Sequence, residues 1–286
     1  MTGRAIALVA PSGPFDPAEM AAGVALAEAC GRPVRWYADP DEADGFLAAP
    51  DLYRAAHLHA AFTDPDVGLV WALRGGYGAL RLLPHLDLGL LGAHPRPLLG
   101  LSDVTLLLNV LASRAGVPAL HGPVVRQVPR LDAPSLAALR AWLAHGELPS
   151  VHAVQGLYGP RVEGPLWGGN LATLCSALGT RWFPTLAGAI LFVEDVNEAP
   201  YRVDRMFQSL AQSGALDGVR GVVLGELSNG GAPADVRLDL LVALGERHGF
   251  SLAAGLACGH GAANTLLPLS GRACLDPSAG VLEVRR

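Results

Sequence analysis

The chain has 286 residues, of which 51% are hydrophobic and 16% charged, with a formal net charge of -5. That composition describes a folded protein rather than a disordered one, and an acidic balance without a Lys/Arg run argues against a nucleic-acid partner. The length corresponds to two domains at about 100–200 residues each. Cys30, Cys175, Cys258 and Cys274 are scattered, with no C-x-x-C pair. They predict neither a zinc framework nor a redox motif, and fit thiols in a reducing compartment.

Ala5 to Ala10 is apolar and stops at Pro11-Ser12-Gly13-Pro14. This is too early for a signal-peptide core or a membrane span, so the expected setting is the cytoplasm, with no membrane partner. The run reads as a buried parallel strand, and Pro17 to Cys30 as the helix after it. Val67 to Leu73 is a second such strand, ended by Arg74-Gly75-Gly76-Tyr77-Gly78 and followed by the helix-like Ala79 to Leu83. Pro97 to Leu101 predicts a third, with a helix from Asp103 to about Arg114. Strands alternating with helices imply an α/β fold with a mostly parallel sheet, in which ligands sit at the carboxyl ends of the strands. Gly75, Gly76 and Ser102 fall there.

Ser135 to Ala144 reads as a further helix, whereas Gly146 to Gly164 has no sustained period and is expected to be a linker. The expected domains are therefore 1–148 and 149–286. Beyond the linker, Ala189 to Val193 and Gly221 to Gly225 predict strands, with the amphipathic Val203 to Gln212 between them.

Four places could carry chemistry. Ser102, at a strand-to-helix junction, fits a helix N-cap and also a nucleophile held at a helix N-terminus. The G-x-S-x-G elbow is not matched, because Val104 occupies its second glycine position. The turn Arg74 to Gly78 can leave backbone N–H groups uncovered for a phosphate or an oxyanion, or be a plain tight turn. As a dinucleotide fingerprint it fails at Arg81, and no Walker lysine follows. Glu194-Asp195 ends an apolar strand, where acids are solvated, cap the next element or orient a histidine. His260 sits between Gly259 and Gly261, a bare loop that suits a structural histidine or a base that reaches substrate. His57 and His59 lie on a predicted helix at a spacing that does not face one way, so no metal site is expected.

Seven motifs occur in order: RGGYG at 74–78, LLPxLD at 82–87, GxSD at 100–103, HGP at 121–123, GGNL at 168–171, ED at 194–195 with EAPYRVDR at 198–205, and GHGxxNxxLPL at 259–269. Together, over nearly the whole chain, they resemble the LD-carboxypeptidase family of serine peptidases. The resemblance implies a Rossmann-like, mostly parallel N-terminal sheet domain carrying the nucleophile. A smaller C-terminal domain with its own β-sheet would carry the acid and the base. By motif position the nucleophile is Ser102, the acid Glu194 and the base His260. Backbone N–H groups of Gly76 and Asp103 would form the oxyanion hole, and Gly75, Tyr77 and Asn170 would line the substrate. No cofactor or metal is implied, and a homodimer is. The implied reaction is hydrolysis of the bond before a C-terminal D-amino acid, releasing D-alanine from cytoplasmic murein tetrapeptide in cell-wall recycling. His57 and Asn109 depart from the family pattern. Two rivals accompany this reading: a self-immunity peptidase acting on peptidyl-nucleotide antibiotics or aminoacyl adenylate mimics, and a non-catalytic binder of cell-wall peptides.

Overall fold

The first part of the chain alternates strand and helix: β1 (Ala5–Val9), α1 (Pro17–Ala29), β2 (Val34–Tyr37), α2 (Asp51–Thr63), β3 (Val67–Ala72), α3 (Ala79–Leu82), α4 (Leu88–Ala93), β4 (Leu98–Gly100), α5 (Thr105–Ala115), β5 (Ala119–His121) and α6 (Ala133–His145). Every residue of β1 and β3 is buried, as expected of parallel strands covered on both faces. The helices begin where their caps dictate. Asp16 accepts from the Ala18 amide ahead of α1, with Pro17 in its first turn, and Asp132 does the same for Ser135 ahead of α6, which stops at the left-handed Gly146.

The order β5-β4-β3-β1-β2 is parallel throughout. The winding reverses between β1 and β3, and the carboxyl ends of those strands therefore flank the crevice where such sheets bind ligands. The loops there touch: Gly13 N–H donates to Gly75 O at 3.3 Å. Beneath them lies the buried guanidinium of Arg54, which donates to the carbonyls of Pro11, Ala49 and Gly78 and pairs with Asp51. Burying an arginine is tolerable only with such complete pairing.

The rest of the chain forms β6 (Val151–Ala153), β7 (Gln155–Tyr158), β8 (Val162–Asn170), α7 (Leu171–Ser176), β9 (Ile190–Asp195), α8 (Pro200–Gln212), β10 (Gly221–Asn229), β11 (Ala232–Pro233), α9 (Leu238–His248), β12 (Ser251–Ala254), β13 (Leu267–Leu269), β14 (Arg272–Asp276) and β15 (Val281–Arg285). A second sheet runs β6-β15-β14-β8-β9-β10-β12-β7, with β11 on β10. Its centre, β8-β9-β10-β12, is parallel and its flanks are antiparallel. Helix α8 buries Val203, Phe207 and Leu210, one helical face, in the same apolar cluster as Leu191 and Val193 of β9.

The computed structural model describes residues 3–229 and 232–285. The chain divides into one unit reaching to Leu148 and taking back Asn264–Leu267, and another of Pro149–Ala263 with the chain from Pro268 on. The segment returned to the first unit leads into β13, beside β5 in the first sheet. The expected linker 146–164 is corrected, since it contains β6, β7 and the start of β8. These strands are short and partly exposed, and β6 and β7 pair with β15 and β12 far along the chain, so no local apolar run announces them.

Candidate active site

Ser102 opens a short 3-10 turn, Ser102–Val104, that runs into α5. Its φ is +65°, a left-handed conformation that costs a non-glycine residue about 1–2 kcal/mol. The helix-cap expectation is therefore corrected: the cap positions fall on Leu101 and Val104, neither with a side-chain cap bond, and Ser102 does not have the extended backbone of a cap. Strain of this kind persists where the surroundings enforce it, and it turns the side chain away from the course a cap would take.

The neighbour that matters is Gly75. A side-chain carbon there would stand 2.6 Å from Ser102 Cβ and 2.8 Å from its Oγ, so only glycine permits this approach. Gly76, at φ +128°, lies against Gly13, whose Cα and N a side-chain carbon would meet at 3.0 Å. Arg74 closes the turn by donating to Pro14 O at 2.8 Å and Gly75 O at 3.2 Å.

The Asp103 side chain is a tie between loops. Its buried Oδ2 accepts from Ser12 Oγ at 2.6 Å and from Ala79 N–H at 2.8 Å, tying together the loops after β1, β3 and β4. Burial pushes this carboxyl above its usual range, and the bonds from Ser12 and Ala79 with the Arg54 charge only partly offset it. Reading the sequence missed Ser12 and the Asp103 side chain, although a Ser in a Pro-Gly loop after the first strand is a polar group at the ligand-binding end of the sheet.

In the second unit, Glu194 is completely buried near the end of β9, and His260 Nδ1–H donates to its Oε2 at 2.6 Å. That bond fixes the tautomer and leaves Nε2 as the basic nitrogen. Burial pulls the imidazole pKa down, but the charge and hydrogen bond of Glu194, reinforced by Asp195 and Glu226, more than reverse this and leave it above 6.5. Asp195 is buried too, its carboxyl raised first by burial, and it accepts from Ala172 N–H, Val196 N–H and the Asn170 amide.

Asn170 was expected against substrate. It is 5% exposed and caps α7 by accepting from Thr173 N–H at 3.0 Å while donating to Asp195 at 2.9 Å. This gives it a positioning job within its own unit, and Asn directly before a helix is the signal that reveals it. Tyr77 is half-exposed and packs edge-to-face on the exposed Phe46, with ring centroids 5.5 Å apart. Glu226, also missed, accepts from Gly261 N–H at 2.6 Å. Of the two departures, His57 faces Glu42 at 3.4 Å and Asn109 donates to Thr105 O at 2.7 Å.

Among the described residues no group of three or more His, Cys, Asp or Glu is arranged to hold a metal, and no helix is long and apolar enough to cross a membrane. One unit offers a hydroxyl on a strained turn, and the other a carboxylate-oriented imidazole.

The family profile of the LD-carboxypeptidase N-terminal domain matches residues 6–122, and that of the C-terminal domain residues 163–275. A putative carboxypeptidase of Synechocystis sp. is 35% identical over 98% of this chain and 94% of its own length. The crystal structure of a muramoyltetrapeptide carboxypeptidase from Oxalobacter formigenes superposes with a TM-score of 0.87 and 33% identity over 99% of both chains. The microcin C7 self immunity protein MccF, in complex with glutamyl sulfamoyl guanosine, gives a TM-score of 0.89 over 100% of this chain and 97% of its own, and at 20% identity shares the fold.

Proposed function

The chain belongs to the LD-carboxypeptidase family of serine-type peptidases, and from that premise we propose that it hydrolyses the peptide bond before a C-terminal D-amino acid, releasing D-alanine from murein tetrapeptide. The observation that carries this reading is the pair of His260 with the buried Glu194, a base with its tautomer set. His260 Nε2 takes the proton of Ser102 Oγ as the oxygen attacks the scissile carbonyl, and Glu194 stabilises the imidazolium. The N–H groups of Gly76 and Asp103 hold the oxyanion, which is worth about 10²–10³ in turnover per donor. The imidazolium returns its proton to the leaving amine. Water, activated by the same base, then releases the acyl group from Ser102. The assigned setting is the cytoplasm, on recycled wall peptides, as a homodimer.

One observation favours a second reading. The exposed Phe46–Tyr77 pair offers an aromatic surface, and such surfaces stack nucleobases. A self-immunity peptidase would use one on a peptidyl-nucleotide or aminoacyl sulfamoyl adenosine. Comparing turnover of the wild type on that mimic and on murein tetrapeptide decides between them.

The primary test is D-alanine release by Ser102→Ala from tetrapeptides with meso-diaminopimelate or L-Lys at the third position. The expected outcome is an unchanged fold and a loss of at least about 10⁴ in kcat. Release at the wild-type rate would remove Ser102 from the mechanism. Binding without turnover by the wild type would favour the non-catalytic binder.

A further inference from the structure

The histidine loop is flanked by a feature that the triad chemistry does not require. The register of β10 against β9 passes from Leu224 opposite Val193 to Leu227 opposite Asp195, so Gly225 and Glu226 together face the single residue Glu194. This is a β-bulge, a device that bends a strand and re-aims a side chain. From it, Glu226 holds the loop at two points that bracket His260: its N–H donates to Cys258 O at 2.8 Å, and its Oε2 accepts from Gly261 N–H at 2.6 Å.

The glycines follow from the same contact. A side-chain carbon at Gly259 would stand 2.7 Å from Glu226 Cβ, one at Gly261 would overlap the Glu226 carboxylate, and one at Gly225 would stand 2.5 Å from Cys258 O. The bare loop around His260 is thus what lets the Glu226 carboxylate and the bulge pack on its backbone. We propose that Glu226 is the positioning residue of the His260 loop, clamping the backbone on both sides of the imidazole and adding its carboxylate charge to those of Glu194 and Asp195. The proposal rests on the reading of His260 as general base, and Glu226 acts through that residue without touching substrate. The charged groups acting on the imidazole are Glu194, Asp195 and Glu226, and the buried Cys258 thiol lies two residues before it in the chain.

Two variants separate the clamp from the charge. Glu226→Gln keeps an acceptor for the Gly261 N–H and loses the charge. Its kcat at alkaline pH stays within about threefold of wild type, while the acid limb of kcat/KM moves to lower pH because the imidazole loses a stabilising anion. Glu226→Ala loses both, and kcat falls about tenfold to 10²-fold with KM little changed, the cost of a misplaced base. NMR titration of the His260 ring in wild type and Glu226→Gln gives the same shift without any substrate. It therefore stands even if no tetrapeptide is cleaved, an outcome that would sink the general-base reading and leave the clamp intact. Should Glu226→Ala fail to fold, Glu226→Gln carries the test alone. An unchanged ring titration and acid limb in Glu226→Gln would overturn the proposal, as would wild-type kcat in a folded Glu226→Ala.

Discussion

Around Ser102 the shaping groups are mostly backbone: glycines at 75 and 76, a serine at positive φ, and one buried carboxylate that binds a hydroxyl and an amide. Around His260 they are side-chain charges: Glu194 at 0% and Asp195 at 3% exposure, with Glu226 behind the loop. The difference matches what each group needs in its proposed role. A hydroxyl nucleophile has no charge to tune and is placed by sterics, whereas an imidazole that must gain and lose a proton is tuned by the anions it faces. The first site should fail when volume is added, the second when charge is removed at constant volume.

The largest effect expected from this contrast is at Glu194. Glu194→Gln keeps the shape of the buried pair and removes its charge, so kcat should fall by about 10³–10⁴ as the favoured tautomer and the imidazolium are lost. Single-turnover D-alanine release measures it directly. Wild-type turnover in a folded Glu194→Gln enzyme would break the charge-based account of the second unit.

The steric half predicts a smaller loss at Gly75. No positive φ forbids alanine there, so the backbone accepts it, yet the added carbon meets Ser102 Cβ rather than the tip of a flexible chain. Ser102 must shift, and displacement by a few tenths of an ångström to 1 Å lowers kcat by up to about 10²-fold. The check is kcat of Gly75→Ala beside its thermal midpoint. A drop in stability with unchanged kcat would mean that the turn is only structural.

The two regions also differ in how far their sequence betrays them. The turn that holds Ser102 is legible because the strands before it are continuous apolar runs ended by Gly or Ser, and the sheet rule then places Gly75, Gly76 and Ser102 at one edge. What stayed hidden is non-local. The Ser12–Asp103 bond spans 91 residues and the Glu226–Gly261 bond 35, and no local pattern announces either. Positive φ at Ser102 was equally invisible, because serine at a strand-to-helix junction prefers the cap. Strands β6 and β7 were lost for the same non-local reason, since their pairing partners, not their own residues, make them strands.

The smallest effect lies within the second unit, where the pKa values of two histidines are shifted in opposite directions. His152 on β6 is 8% exposed, and burial holds its imidazole below the usual 6.5, against a weaker opposing bond to the Pro149 backbone. Its neutral form suits the fold, so the stability it contributes is present above pH 6.5 and is lost as pH falls through its lower folded-state pKa. His260 is the reverse: its pKa is raised, so the contribution of its pair with Glu194 is fully present below pH 6.5 and is lost as pH rises through the higher folded-state value. Because the base must be neutral to accept the Ser102 proton, activity should rise over the same interval in which that stability is given up. Urea midpoints between pH 5 and 8 test both signs: His152→Gln should flatten the fall on the acid side, and His260→Gln the fall on the alkaline side. An acid-side slope unchanged in His152→Gln would show that the buried His152 does not govern how the second unit responds to acid.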